Sequence, residues 1–280
     1  MNKNIDNLIK EELIKRGIDV GIEQVEITKN ALLCKGFRII RPNDLNVSPV
    51  VYYSSEESIS AIADRITAVI SQDLSKFDAD AVLTKDFFRN HAYIACCKHN
   101  CTASNMVVSK QFLNLDIVIK IYVAIDEETV GNANVTKPML DIIGLSVDDA
   151  FGIATENSHR TVTIRSMSDI IGAPTVADFS MDIMSCNQGI GGAAAIIFAD
   201  VIKNWCMAND ITDIFILPSS TEEMIIISNS AITAGELLKI NKNITASAVD
   251  PLIALDSAVY RYSVSDNIVT IAAAEVIDDD

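Results

Sequence analysis

Short β-strand segments that follow one another along the chain, separated only by turns, are the feature that most restricts the fold of this sequence. Three such pairs occur, at residues 22–27 with 32–40, 213–217 with 224–228, and 258–264 with 268–272. Strands joined by short turns pair antiparallel, whereas a doubly wound parallel sheet needs a helix between successive strands. The sequence therefore predicts an α+β fold, with mainly antiparallel sheets packed with amphipathic helices.

Segments with apolar residues at helical spacing lie between these strand pairs, at residues 2–16, 59–70, 87–103, 138–143, 147–154, 191–207 and 231–246. The segment 191–207 has the clearest helical pattern, and residues 113–125 form the strongest β run. A polar stretch at 72–86 predicts a division between an N-terminal helix, β-meander and helix subdomain, 1–75, and a main α+β domain, 86–280. One continuous domain is the alternative.

The charge of the chain excludes one class of partner. Lysine and arginine number 22 against 38 aspartate and glutamate, which gives a formal net charge of −16 over 280 residues. Because binding to a phosphate backbone depends on basic residues, direct nucleic-acid binding is disfavoured. An acidic surface suits solubility, cations or a basic protein surface, and the basic protein surface is the partner we favour.

The N-terminal sequence lacks the apolar core and cleavage site of a signal peptide. The longest apolar run, 190–202, is interrupted by Asp200 and is too short to span a bilayer. These patterns predict a cytoplasmic protein without membrane association. Cysteines in the cytoplasm are expected to remain reduced, and the chain has six: Cys34, Cys96, Cys97, Cys101, Cys186 and Cys206.

A glycine run at 189–194 fits the relaxed G-x-G-x-x-A pattern that places a helix N-terminus against a pyrophosphate. The strand that follows ends in Leu217-Pro218, where a ribose-binding acidic residue would be expected. The favoured interpretation is close packing of a small-residue helix start against a sheet. No cofactor is predicted.

A cluster of metal-ligand residue types occupies one short segment: His91, Cys96, Cys97, His99 and Cys101. A structural zinc site usually joins two distant pairs of ligands, and no second pair is evident. On a helix Cys97 and Cys101 would share one face, so these two are the candidate metal ligands. The favoured interpretation is instead a pair of buried thiols, and no metal is predicted. None of the three histidines, at 91, 99 and 159, stands in a recognisable catalytic motif.

The segment 217–223 is the candidate binding loop. A strand delivers three hydroxyls and two carboxylates to one edge of a sheet, and the candidate residues are Ser219, Ser220, Glu222 and Glu223. Asn187 and Tyr52 join the candidate site if the fold brings them near. Proline and serine at these positions are also ordinary turn residues, so a turn without a binding role is the alternative.

Several segments together resemble an uncharacterised domain-of-unknown-function family of gut Gram-positive bacteria. The resemblance covers about residues 20–265. Its first half rests on an Asn-x-Ser-Pro motif at 46–49 leading to Tyr52, on residues 115–118, and on Ala154 with Asn157. Its second half rests on Gly192 with Ala193, on Leu-Pro-Ser-Ser-x-x-Glu at 217–223, and on Val-Tyr-x-Tyr at 259–262. The family's loop carries a histidine where this chain has Glu222. The resemblance implies no activity and supports only the fold and the compartment.

Three hypotheses of function follow. The first is a non-enzymatic binding or regulatory protein that acts on a basic protein partner, and inhibition of a host or defence enzyme by a phage or mobile-element protein is one form of it. The second is a small-molecule enzyme or ligand-binding protein that uses the 217–223 loop. The third is a self-assembling structural protein, since hairpin edges can pair between chains. The sequence favours the first and leaves the question of catalysis open.

Overall fold

The computed structural model of the chain describes residues 5–40, 49–71, 79–101, 106–124, 130–172, 181–228 and 231–274. Within these ranges the strands form antiparallel sheets of three, four and six strands, with helices packed against them. The α+β prediction is therefore confirmed. No helix in this part of the chain combines the length and the apolar character needed to cross a membrane.

The N-terminal elements form a three-stranded sheet covered by two helices: α1 (Ile5–Lys15), β1 (Gly21–Lys29), β2 (Leu32–Ile40), β3 (Val50–Tyr53) and α2 (Ile59–Ser71). The predicted hairpin turns at Asn30 and Ala31, whose φ values of 48° and 64° match a type I′ turn. Apolar residues of both helices and of the sheet form a separate hydrophobic cluster: Ile9, Leu13, Phe37, Ile39, Ile62 and Ile66. The Asn-x-Ser part of the family motif, 46–48, lies outside the described residues.

The four-stranded sheet follows, with the elements α3 (Ala79–Val82), α4 (Lys85–His91), β4 (Ala92–Lys98), β5 (Ser109–Phe112), β6 (Leu115–Ala124) and β7 (Val130–Asn134). Strand β6 pairs with β4 on one side and with β5 and β7 on the other. The helix predicted at 87–103 is wrong from Ala92 to Cys101, and residues 102 and 103 lie outside the described residues. Residues 92–97 are buried on both faces of β4, so they lack the polar–apolar alternation by which a strand is usually recognised.

Two helices follow this sheet along the chain, α5 (Lys137–Ile143) and α6 (Val147–His159), and they contact each other. Both were predicted, and both begin at a residue whose side chain accepts a hydrogen bond from the first turn, Thr136 and Ser146. Helix α6 packs on β4 and β6. It thereby forms one wall of the groove described below.

The six-stranded sheet has the order β13-β12-β10-β11-β9-β8. Its part of the chain contains β8 (Thr163–Ser166), α7 (Met167–Ile171), β9 (Met181–Ser185), α8 (Ala199–Ala208), β10 (Asp213–Ser220), β11 (Glu223–Ile227), α9 (Ala234–Ala248), β12 (Ala258–Ser263) and β13 (Ile268–Ala274). The single helix predicted at 191–207 is wrong in its first part: Gly192–Ile197 is a 3₁₀ segment, and α8 begins only after Phe198. This 3₁₀ segment is almost fully buried because it contacts β4, β9 and β11.

The main hydrophobic core lies between the four-stranded and six-stranded sheets. It joins inward side chains of both sheets with those of the 3₁₀ segment, among them Ile94, Ile119, Ala194, Ile216 and Tyr260. The opposite face of the six-stranded sheet is covered by α9, where Leu237 packs with Leu217 and Val259.

One asparagine connects the N-terminal unit to this main body. Asn30 is 8% exposed, its Nδ2 donates to the Ala254 carbonyl at 2.7 Å, and its Oδ1 accepts from the Lys98 backbone N–H at 3.2 Å. The predicted division into 1–75 and 86–280 stays a prediction, since 72–78 lie outside the described residues.

Candidate functional site

The candidate binding loop is tighter than the sequence suggests. Strand β10 continues through Ser220 and β11 begins at Glu223, so the turn consists of Thr221 and Glu222 and not of Pro-Ser-Ser. The pairing register shifts between Pro218 and Ser220. Such a bulge is where a sheet tolerates a proline inside a strand.

Hydrogen bonds hold both the turn and its surroundings. Ser220 is 7% exposed and its Oγ accepts from the Glu222 backbone N–H at 3.1 Å. The Glu222 carbonyl accepts from Ser185 Oγ at 2.7 Å. Ser219 Oγ donates to Glu223 Oε1 at 3.2 Å, and both residues are partly exposed. Ser220 therefore supports the turn, while Ser219, Glu222 and Glu223 face solvent at least in part.

Asn187 and Tyr52 lie against other elements. Asn187 Nδ2 donates to the Ile94 carbonyl of β4 at 2.9 Å, and its backbone N–H donates to Thr161 Oγ1 at 2.8 Å. Tyr52 belongs to the N-terminal sheet, where Lys29 Nζ lies 5.6 Å from the centroid of its ring. Neither residue hydrogen-bonds to the 217–223 segment in the part of the chain that the structure describes.

Along the outer edge of β4, side chains take the place of a neighbouring strand and supply hydrogen bonds to the β4 backbone. Besides Asn187, Ser158 Oγ accepts from the Ile94 backbone N–H at 3.0 Å, and Asn157 Nδ2 donates to the Ala92 carbonyl at 2.8 Å. Buried backbone polar groups require such partners. Asn157, one of the residues on which the family resemblance rests, thus has a structural role in this chain.

The glycine run packs closely against both sheets, as the favoured interpretation predicted. Gly191 has a φ of 67°, and a Cβ there would lie 2.5 Å from Ala95 Cβ. A Cβ on Gly192 would overlap Ser185 Oγ and the Glu222 carbonyl oxygen, and would lie 2.6 Å from the Cys186 carbonyl oxygen. These glycines bring the 3₁₀ segment against the strand ends.

Cys97 and Cys101 form a disulfide, whereas Cys34, Cys96, Cys186 and Cys206 are free. The expectation that all six cysteines are reduced is therefore wrong for this pair, and neither sulfur is a thiolate available to a metal. The pair meets because β4 ends at Lys98 and the chain turns back at Asn100, whose backbone N–H donates to Asp116 Oδ2 at 2.9 Å.

Burial in the core raises the pKa of the free Cys186 thiol to about 12, so this thiol stays protonated.

A groove between β5 and α6 is a feature that the sequence interpretation did not find. It has a volume of about 620 Å³ and a mainly apolar surface. We call it the β5–α6 groove and define it by its lining: Lys110, Gln111, Phe112, Ile117, Asp148, Phe151, Gly152, Thr155, Glu156, His159, Ile197 and Phe198.

The helix contributes one continuous face to the β5–α6 groove. Its residues lie at positions i, i+3, i+4, i+7, i+8 and i+11, from Asp148 to His159. Gly152 lies near the middle of this face, and a Cβ there would have no atom within 4 Å. The fold does not require a glycine at this position, although glycine weakens a helix interior. The effect of Gly152 is to leave the groove open.

Ion pairs lie along the rim of the β5–α6 groove. Lys110 Nζ lies 2.9 Å from Asp148 Oδ1 and 4.6 Å from the centroid of the Phe151 ring. Glu156 pairs with Arg160. All four charged side chains are more than half exposed, so these pairs contribute little to stability and can exchange partners.

His159 closes one end of the β5–α6 groove. Its ring meets Phe198 edge to face, with the centroids 5.0 Å apart, and its Nε2 hydrogen-bonds to Asp200 Oδ2 at 2.7 Å. Burial acts to raise the pKa of Asp200. The hydrogen bond and the positive charge of protonated His159, together with hydrogen bonds from backbone N–H groups, outweigh burial and lower this pKa below its ordinary value. The hydrogen bonds that the Asp200 carboxylate accepts therefore stabilise the fold above the ordinary pKa of an aspartate, and this contribution is lost as the pH falls through the lowered pKa.

We expect the substitution His159→Ala to raise the pKa of Asp200, because the substitution removes both the hydrogen bond and the positive charge. The measurement is a carbon-13 NMR titration of the Asp200 carboxyl group in the wild type and the variant. An unchanged Asp200 pKa would show that the contact is not maintained in solution.

Comparison with known proteins places the chain in one family. The profile of a family of unknown function, DUF5688, matches residues 2–264. Comparisons with curated proteins and with solved structures found no match. The predicted resemblance to a domain-of-unknown-function family is confirmed. Because the match extends over nearly the whole chain, the protein belongs to DUF5688, a family of unknown function.

Proposed function

We propose that this chain is a non-enzymatic binding protein that holds an exposed segment of a basic partner protein in the β5–α6 groove. The observation that carries the proposal is a mainly apolar groove with Asp148 and Glu156 at its rim, in a chain with a net charge of −16. Apolar clefts with a few charged groups at the edge are the usual form of specific binding sites.

The dimensions and chemistry of the groove fit a peptide segment. Its volume of about 620 Å³ lies within the ordinary range of ligand sites and can hold one or two large side chains. Ile117 and Phe151 offer apolar contacts to such a side chain, while the carboxylates at the rim attract lysine or arginine beside it. The negative charge of the whole chain accelerates the encounter with a basic partner.

The alternative site is the 217–223 segment. Ser219 and Glu223 form a partly exposed hydroxyl–carboxylate pair, and Glu222 lies beside them. A small-molecule enzyme or ligand-binding protein would use these three groups. We favour the groove because the hydrogen bonds of Ser220, and of the turn backbone, are already used in holding the turn.

Selection from a random peptide display library tests the proposal. We expect the immobilised full chain to enrich peptides that carry an apolar residue flanked by lysine or arginine. The substitution Gly152→Tyr fills the groove and should weaken binding of these peptides at least tenfold. The matched control is Gly235→Tyr, because Gly235 also has no neighbour within 4 Å of its Cβ position but lies at the start of α9.

Two outcomes would contradict the proposed function. One is a set of selected peptides that bind the Gly152→Tyr variant as tightly as the wild type, which would place their site elsewhere. The other is enrichment of acidic peptides, which the rim carboxylates should repel. Binding should also weaken as the salt concentration rises, because the rim charges are exposed.

A further inference from the structure

We propose that the ring of Phe151 and the carboxylate of Asp148 form a subsite for a lysine or arginine side chain of the partner, and that Lys110 of this chain occupies it in the free protein. The inference rests on the proposed function and names the group that the groove recognises. It makes Lys110 an internal competitor of the partner.

The position of Lys110 shows what chemistry the subsite accepts. Lys110 pairs with Ile117 across β5 and β6, so its side chain lies on the face of the sheet that α6 covers. Its ammonium group lies 2.9 Å from Asp148 Oδ1 and 4.6 Å from the centroid of Phe151. A carboxylate together with an aromatic face at this distance is a favourable environment for a cation.

Lys110 can leave this position at little cost. The side chains of Lys110 and Asp148 are 52% and 90% exposed, so water already screens their attraction. Phe151 is 5% exposed and belongs to the main core, so the aromatic part of the subsite stays in place when Lys110 moves. A partner that brings its own cation, together with apolar contacts deeper in the groove, therefore displaces Lys110.

The second carboxylate of the rim sets the spacing of the partner's charges. Glu156 follows Asp148 by eight residues on α6, which separates them by about 12 Å along the helix axis. Four residues of an extended chain span roughly 13 Å, and residues i, i+2 and i+4 point to the same side. We therefore infer an extended segment with basic residues at i and i+4 and an apolar residue at i+2.

The probe for the test is the peptide acetyl-Arg-Ala-Leu-Ala-Arg-amide, titrated into the full chain by calorimetry. We expect the substitution Lys110→Met, which keeps the aliphatic length and removes the ammonium group, to strengthen binding five- to tenfold. The substitution Asp148→Asn should weaken binding about tenfold. The control Lys15→Met makes the same change in net charge on α1, where Lys15 is 72% exposed, and should alter binding less than twofold.

The results separate this inference from the proposed function. One result is that the peptide binds the wild type and loses affinity with Gly152→Tyr, while Lys110→Met binds it no better than Lys15→Met does. The role of Lys110 as an internal competitor is then wrong, and the groove remains the binding site. Weaker binding by Lys110→Met would overturn the inference in the same way. Failure of the peptide to bind either the wild type or Lys110→Met would overturn it as well. The proposed function itself is tested by the display selection, and it fails if the selected peptides do not depend on the groove or are acidic.

Discussion

Replacement of Gly192 by alanine is expected to destabilise the protein by about 3 kcal/mol, at the upper end of the effects of overpacking. A Cβ at this position overlaps Ser185 Oγ and the Glu222 carbonyl oxygen, and it comes within 2.6 Å of the Cys186 carbonyl oxygen. Ser185 cannot simply rotate away, because its hydroxyl donates to the same Glu222 carbonyl at 2.7 Å. Two of the three neighbours are backbone oxygens, one in the β10–β11 turn and one directly after β9, so relief requires the 3₁₀ segment to move away from the sheet.

Urea unfolding followed by circular dichroism measures this loss. The matched control is Gly152→Ala, since Gly152 is exposed within α6 and has open space at its Cβ position. Alanine there should stabilise the fold by about 0.5 to 1 kcal/mol, because it removes the entropic penalty of glycine in a helix. If Gly192→Ala left the free energy of unfolding unchanged, the close packing of the 3₁₀ segment against β9 and the β10–β11 turn would be contradicted.

Replacement of Asn30 by glycine is expected to cost about 2 kcal/mol, since each of its two buried hydrogen bonds contributes about 1 kcal/mol. Glycine accepts the φ of 48° at this position, so the loss reports the amide side chain and not backbone strain. The bonds broken are those to the Ala254 carbonyl and from the Lys98 backbone N–H. These bonds join the N-terminal sheet to the main body.

The control for this prediction is Asn100→Gly. Asn100 also has a positive φ, 57°, but its side chain is exposed and its bond to Asp116 comes from its backbone N–H. Its replacement should change the free energy of unfolding by less than about 0.5 kcal/mol. A similar result for both substitutions in urea unfolding would contradict a specific linking role of Asn30. Two separate unfolding transitions in Asn30→Gly would support the predicted division into two domains.

The hairpins and amphipathic helices could be predicted because each carries its own local pattern. The stripe of α2 and the hairpin turn at Asn30 depend on residues within a few positions of one another. Strand β4 could not be predicted in this way, since both of its faces are buried and its alanines and cysteines fit a helix equally well. The buried start of 191–207 was misassigned for a related reason, because packing between two sheets overrides helix propensity.

The candidate site shows the same limit more clearly. The residues of the 217–223 segment were found because they are contiguous, but the length of their turn depends on the pairing of β10 with β11. The groove draws its lining from β5, β6, α6 and the residues before α8. Those segments are distant in sequence, and only the fold brings them together. The one local signal is Gly152, an isolated glycine in a helical pattern with no turn beside it.

Amide NMR of the full chain with the peptide acetyl-Arg-Ala-Leu-Ala-Arg-amide tests the central claim most directly, because the chemical-shift changes locate the bound peptide. If the β5–α6 groove is the binding site, the largest changes will occur in β5 at Lys110 and Gln111 and along α6 from Asp148 to His159. Largest changes at residues 217–223, or small changes spread evenly over the surface, would contradict it.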